Sequence, residues 1–183
     1  NFSFQDAEKS AQIKSDCWYL CPTFDTSGNM AANYTFYNDN QTALHKTSKR
    51  FSTIFSANPL PSSGKSKFSV RIDSCKNVHP KLYVGIAAKD LRDKPIGYKP
   101  GFYFISTFTS ECNLNGLQVI KSPSFARQGQ IISVLLDLDD GNIIFEVDNK
   151  KIIEAKIPIS KNVFYPCISL GEENGMVSFT WDG

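Results

Sequence analysis

One stretch constrains this chain more than any other: RQGQIISVLLDLDDGNIIFEVDNKK, from Arg127 to Lys151. In its first half Ile132, Val134, Leu136 and Leu138 fall on one face of an extended chain, and Ile131 and Leu135 on the other. A strand apolar on both sides belongs inside a β-sandwich rather than at its edge. In the second half Ile143, Phe145 and Val147 alternate with Ile144, Glu146 and Asp148, the period of a half-buried strand. Between the halves, Asp139-Asp140-Gly141 has the chemistry of a hairpin loop, with the glycine free to take positive φ. A helix has use for neither the period nor the glycine. The stretch therefore reads as a central antiparallel hairpin.

Its acids, Asp137, Asp139 and Asp140, do not read as a calcium loop. An EF-hand loop counted from Asp137 would need a glutamate where Asp148 stands, and oxygen ligands where Ile144 and Phe145 stand. The expected role of these carboxylates is to accept backbone N–H groups at the turn.

A chain of 183 residues buries about 70% of its unfolded surface and needs neither disulfide nor metal to fold. A net charge of +2 predicts neither a nucleic acid nor an acidic membrane surface as partner. No run approaches the roughly 18 apolar residues of a membrane span, and no secretory signal is visible. Cys17, Cys21, Cys75, Cys112 and Cys167 are odd in number and lack C-x-x-C spacing, so neither a disulfide framework nor a zinc site is expected. Cys167, within FYPCISL, reads as a small core residue. Sequons at Asn1, Asn33 and Asn40 carry little weight in a chain this rich in Asn, Ser and Thr. The expected location is the cytoplasm or nucleus. A start at Asn1 without methionine leads us to expect a fragment of a multidomain protein.

Residues 1–16 place Phe4, Ala7, Ala11 and Ile13 at helical spacing and read as a short helical lead. From Trp18 the texture becomes β: CWYLCPTFD, NYTFYNDN and QTALHKTS read as short strands, with Asn38-Asp39-Asn40 as a turn. Ser48 to Lys67 reads as a long loop with room for one strand. Its Gly64-Lys65-Ser66 is not a P-loop, because Pro59 stands where a glycine is required and the alternating KFSVRI follows in place of a helix. SKFSVRID, KLYVGIAAK, GFYFISTF, LQVI, KIIEAKIPI, VFYPCISL and MVSFTW complete the strands. The expected fold is an all-β, two-sheet antiparallel sandwich over residues 17–183, preceded by the lead over 1–16.

Several of these segments, in order, resemble the SPRY (B30.2) family. They are SSGKSKFSVRID, YVGIA, IGY, the hairpin GQIISVLLDLDDGNIIFEVDN, and YPCISL followed by VSFTW. Together they span Gly64 to Trp181, with Trp18 to Ser63 similar to the less constrained first part of such a domain. The chain departs from the family pattern in three places. Phe68 stands where tryptophan is usual, phenylalanines fill GFYFIST where another tryptophan is usual, and Asn149-Lys150 replaces the common Asn-Gly turn. The resemblance implies a non-catalytic recognition module that binds a short peptide of a partner protein through loops at one end of the sandwich. It also implies a place within a larger ubiquitin-ligase or scaffold protein.

His45 and His79 lack a nucleophile motif nearby, so no catalytic residue, metal or cofactor is expected. Phe102, Phe104 and Phe108 alternate along one face and read as core. Tyr98, between Gly97 and Lys99-Pro100-Gly101, sits on a loop and has the size of an interface anchor. By the resemblance, the tyrosine matching Tyr98 can line the peptide site in family members. The resemblance places the turn Gly171-Glu172-Glu173-Asn174-Gly175 near the same face, and Lys46, Lys49 and Arg50 read as a solvated basic loop that could supply opposite charge. The expected binding residues are therefore Tyr98, Lys99, Pro100, Gly171, Glu172, Glu173, Lys49 and Arg50. The alternative is a receptor domain for a small anion or glycan, which would need a deep basic cavity rather than a shallow aromatic groove.

Overall fold

A computed structural model describes residues 17–47, 51–97, 99–116, 118–121, 126–158 and 163–181. The expected helical lead over 1–16 lies outside the described residues. The strands are β1 (Cys17–Leu20), β2 (Tyr34–Tyr37), β3 (Thr42–His45), β4 (Ser52–Phe55), β5 (Lys65–Ser74), β6 (Leu82–Ala88) and β7 (Phe102–Ser106). They continue with β8 (Glu111–Leu114), β9 (Gln118–Lys121), β10 (Ile131–Asp137), β11 (Asn142–Val147), β12 (Lys150–Lys156), β13 (Phe164–Leu170) and β14 (Met176–Thr180). Single 3-10 turns at Ala31–Asn33 and Lys89–Leu91 are the helical elements of the described residues, and no helix there is long and apolar enough to cross a membrane.

Two sheets face each other. One has the order β12-β11-β10-β5-β14-β3-β2, with β1 running parallel alongside the start of β5. The other has the order β4-β13-β6-β7-β8-β9. Alternation decides what lies between them. From the first sheet come Phe68, Val70, Ile72, Ile132, Val134, Phe145, Val177 and Phe179; from the second come Ile54, Val84, Ile86, Ile105 and Ile168.

The hairpin forms as its alternation requires. Ile132 pairs with Val147 and Asp137 with Asn142, and β10 is an interior strand with β5 on its other side. Asp137 Oδ1 accepts the N–H groups of Asp139 at 3.1 Å and Asp140 at 3.0 Å, while Asp139 Oδ1 accepts that of Gly64 at 2.9 Å. The acids thus serve the turn. Gly141 has φ +64°. Gly141→Val should lower stability by more than about 1 kcal/mol, because a β-branched residue fits positive φ poorly. A urea midpoint equal to wild type would contradict this.

The next turn differs from its expected place. Val147 pairs with Lys150, so the two turn residues are Asp148 and Asn149, with φ +48° and +61°. Both types tolerate the left-handed region, and Lys150 is spared it by standing in the strand. Phe68, in place of the family tryptophan, is buried edge-on to Phe179, with ring centroids 6.1 Å apart. Phe108 is a correction: it is 47% exposed, on the turn after β7, where Lys81 Nζ lies 5.5 Å from its ring centre. The alternation that buries Phe102 and Phe104 ends with β7 at Ser106.

The six-stranded sheet is apolar on both faces. Phe55, Ala87, Phe102, Phe104, Tyr165 and Cys167 point away from the sandwich and form a second cluster with Leu91 and Ile96. Those last two residues belong to the β6–β7 connection. This connection straps the outer face of the sheet and positions the site.

Candidate functional site: the upper rim of the strapped sheet

Leu82, Leu170, Ser52 and Ser106 lie at one end of the six-stranded sheet, here called the upper end; Ala88, Phe55 and Phe102 lie toward the other. The strap starts and finishes at the lower end, where the Ala88 N–H donates to the Gly101 carbonyl at 2.9 Å. Its middle climbs the outer face. The Ile96 N–H donates to Thr53 Oγ1 at 2.8 Å, and the Arg92 guanidinium lies 4.7 Å from the Tyr165 ring centre while pairing with Asp25. Its return leg is held by Asn115 Oδ1, which accepts the Gly101 N–H at 2.7 Å. A side chain at Gly116 would strike the backbone of Lys99 at 2.4 Å. Tyr98 lies outside the described residues; Lys99 and Pro100 beside it are exposed and stand toward the lower end with Gly101 and Gly116, so they are not brought to the turn at Gly171.

Above Thr53 the outer face becomes aromatic and polar. Thr53, Ser169, Tyr83 and Ser106 form one row across β4, β13, β6 and β7. The Phe51 ring lies 4.8 Å from Tyr83, and Tyr83 stands edge-on to Phe104 at 5.2 Å. Burial pushes the Tyr83 phenol up, while its hydrogen bond with Ser106 pulls the other way. Within this row Ser169 Oγ is buried without a hydrogen-bond partner. Gly171 closes the rim: a side chain there would meet the Phe51 ring at 2.6 Å. Phe51, Tyr83 and Ile96 are each half-buried at this end.

The turn after β13 thus lies at the upper end beside Phe51, though not as expected in chemistry. Gly171 is buried under Phe51. Glu172, expected as a solvent-facing carboxylate, is 4% exposed. Its Oε2 accepts Asn77 Nδ2 at 2.7 Å, and its main-chain oxygen accepts the Nδ1–H of His45 at 2.9 Å. Its place in the turn aims it inward at groups that need an acceptor, so it organises the rim and does not present charge. Glu173 is exposed and remains available to a ligand. Lys49 and Arg50 lie outside the described residues; Phe51, which follows them, stands at the upper end against Tyr83, and Lys46 is exposed.

Sequence reasoning missed Phe51, Tyr83 and Ile96. Their signal is visible in retrospect. YVGIA opens with an aromatic two residues before a glycine, whose bare face leaves room for a ring from the neighbouring strand.

A cavity of about 10 Å³ lies below the strap, lined by Asp25, Gly28, Ala31, Thr53, Ile54, Phe55 and Asp93. It has room for one water and is acidic, the wrong sign for an anion. No trio of His, Cys, Asp or Glu among the described residues is arranged to hold a metal. His45 is wholly buried in the interior.

Comparison with known proteins agrees with this architecture. A family model described as the SPRY domain matches residues 65–182. The SPRY domain of human HERC1 superposes with a TM-score of 0.67 at 17% identity, over 85% of this chain and 96% of that one. The PSpry domain of TRIM65 gives 0.71 at 15% identity, over 94% of each chain. Stonustoxin gives 0.69 at 15% identity, with 89% of this chain matching 27% of that protein. At such identities the likeness is one of fold. No curated protein matches in sequence.

Proposed function

The chain belongs to the SPRY domain family, whose model matches residues 65–182, and on that premise we propose that it captures a short peptide segment of a partner protein without catalysis. SPRY domains are in general protein-interaction modules. The finer reading rests on one observation: the rim carries half-buried Phe51, Tyr83 and Ile96 beside the turn that carries Glu173, and to these the proposal adds Tyr98, two residues along the strap from Ile96, as an anchor. Large rings with few rotors cover area at low entropic cost, and a peptide backbone supplies the hydrogen bonds that polar rim groups lack. The small, acidic cavity gives no support to an anion receptor. Within a longer polypeptide this domain would be the recognition part of a ubiquitin ligase or scaffold, acting in the cytoplasm or nucleus, with no nucleic-acid partner.

The test is a peptide array probed with the purified domain, followed by affinity measurement on the best binder. Tyr98→Ala should weaken that binding by at least about 30-fold, the loss of about 2 kcal/mol expected of an aromatic anchor. Melting temperature should be nearly unchanged. Equal affinity of the variant, or a collapse of its melting temperature, would remove Tyr98 from the site.

A further inference from the structure

One histidine makes three hydrogen bonds to the turn between β13 and β14. His45 is fully buried, and its backbone N–H donates to the Gly175 carbonyl at 2.9 Å. Its own carbonyl accepts the Asn174 N–H at 2.8 Å, and its ring bonds the Glu172 carbonyl at 2.9 Å. A carbonyl only accepts, so Nδ1 carries the ring proton and Nε2 is bare. Nε2 is buried without a hydrogen-bond partner, and so is Glu172 Oε1. Two complementary groups, a potential donor and an acceptor, thus stand unsatisfied on residues already joined to each other.

We propose that His45 is a proton-operated latch on the 171–175 turn, neutral when the turn is packed as described and drawing the turn into a rearranged state once Nε2 is protonated. The added proton makes His45 a buried cation that must find an acceptor. The buried Glu172 carboxylate is the acceptor of opposite charge, and reaching it requires the turn to move. The movement would be felt at Gly171, which packs on Phe51. The groups facing the ring are Tyr34 from β2, with ring centres 4.8 Å apart, and Glu172 and Glu173 from the turn. Cys75 and Asn77, from the connection after β5, face Glu172 in turn.

Burial holds His45 below its ordinary value of 6.5, against the raising pull of the Glu172 carbonyl and of the two glutamates. With the folded value depressed, the packed turn is fully stabilised above the ordinary value and loses that stabilisation as pH falls through the folded value. Control of binding by this latch rests on the reading of the rim given above; the latch itself is measured without a partner.

The experiment is a proton titration of the whole chain by NMR between about pH 7.5 and pH 5, with hydrogen exchange at both ends. His45 ring signals and the amides of Glu172 to Gly175 should shift with one midpoint below that of an ordinary histidine. Protection of the Asn174 amide, corrected for intrinsic exchange, should fall about tenfold, a coupling of ordinary size between linked sites. The amides of Val134 and Phe145 should hold. His45→Gln should abolish the pH dependence at Asn174. A ring that stays neutral to pH 5, a loss of protection shared by Val134, or a dependence that persists in His45→Gln would overturn the latch. If His45→Gln does not fold, the wild-type titration decides alone. Failure here would leave the peptide reading standing, since binding at a fixed pH tests that separately.

Discussion

Replacing Gly85 by alanine is expected to cost the domain about 3 kcal/mol or more of its stability. The added Cβ would lie 2.0 Å from the Tyr103 carbonyl oxygen and 2.6 Å from the Phe104 Cα. Both are main-chain atoms of β7, which is paired to β6 on one side and β8 on the other, so neither can yield without breaking a ladder. The close approach has a purpose: Gly85 pairs with Phe104, whose ring takes the space a side chain would fill and meets Tyr83 edge-on. Overpacking usually costs about 1–3 kcal/mol, and a clash with backbone belongs at or above the top of that range. Against a total stability of about 5–15 kcal/mol, a loss near 3 kcal/mol or more is severe. A urea transition superposable on wild type would show that the two strands separate more cheaply than their geometry allows.

Phe145→Ala is expected to cost about as much by the opposite route. Phe145 has no exposed surface, and its strand neighbours in register are Val134 and Ile153. Removing the ring leaves a void between the sheets, for which about 3–5 kcal/mol is usual. In a domain of this size the melting temperature should fall by roughly 10 °C. Phe145→Leu, which keeps most of the volume, should lose less than about 1.5 kcal/mol. Equal losses for the two variants would mean that the cavity is not what matters at this position.

These two residues also show what a sequence discloses and what it hides. Phe145 was legible because strand alternation is a local property: Ile143, Phe145 and Val147 must share a face whatever lies opposite. Gly85 was legible only as a family residue, since the atoms that forbid a side chain there belong to a strand some twenty positions away. The same division runs through the rest of the fold. The β10–β11 hairpin, its acid-stabilised turn and its interior position follow from the period of its apolar residues. β8 does not follow, because ECNL is short and polar in composition; Cys112 and Leu114 point into the core while Asn113 is buried on the other face. The strap was read as a loop. Its role in covering a second apolar cluster depends on Phe55, Phe104 and Tyr165, which come from three different strands.

The candidate site divides in the same way. Lys99, Pro100 and Glu173 are exposed, as loop residues with no pleated neighbours should be. Glu172 differs from Glu173 only by its partners, Asn77 and His45, and no local pattern announces partners that distant. His45 follows the same logic. In TALH it shares a face with Ala43, an alternation that points it inward, but three polar neighbours in sequence mask the signal.

The central claim is that the upper rim of the strapped sheet is the binding face, and NMR shift mapping with the best array peptide tests it most directly. The account predicts that the largest amide shifts on titrating the peptide fall at Phe51, Tyr83, Ile96 and Gly171 to Glu173. Shifts concentrated instead around the exposed Trp18 and Trp181, or along the edge strand from Lys150 to Lys156, would contradict it.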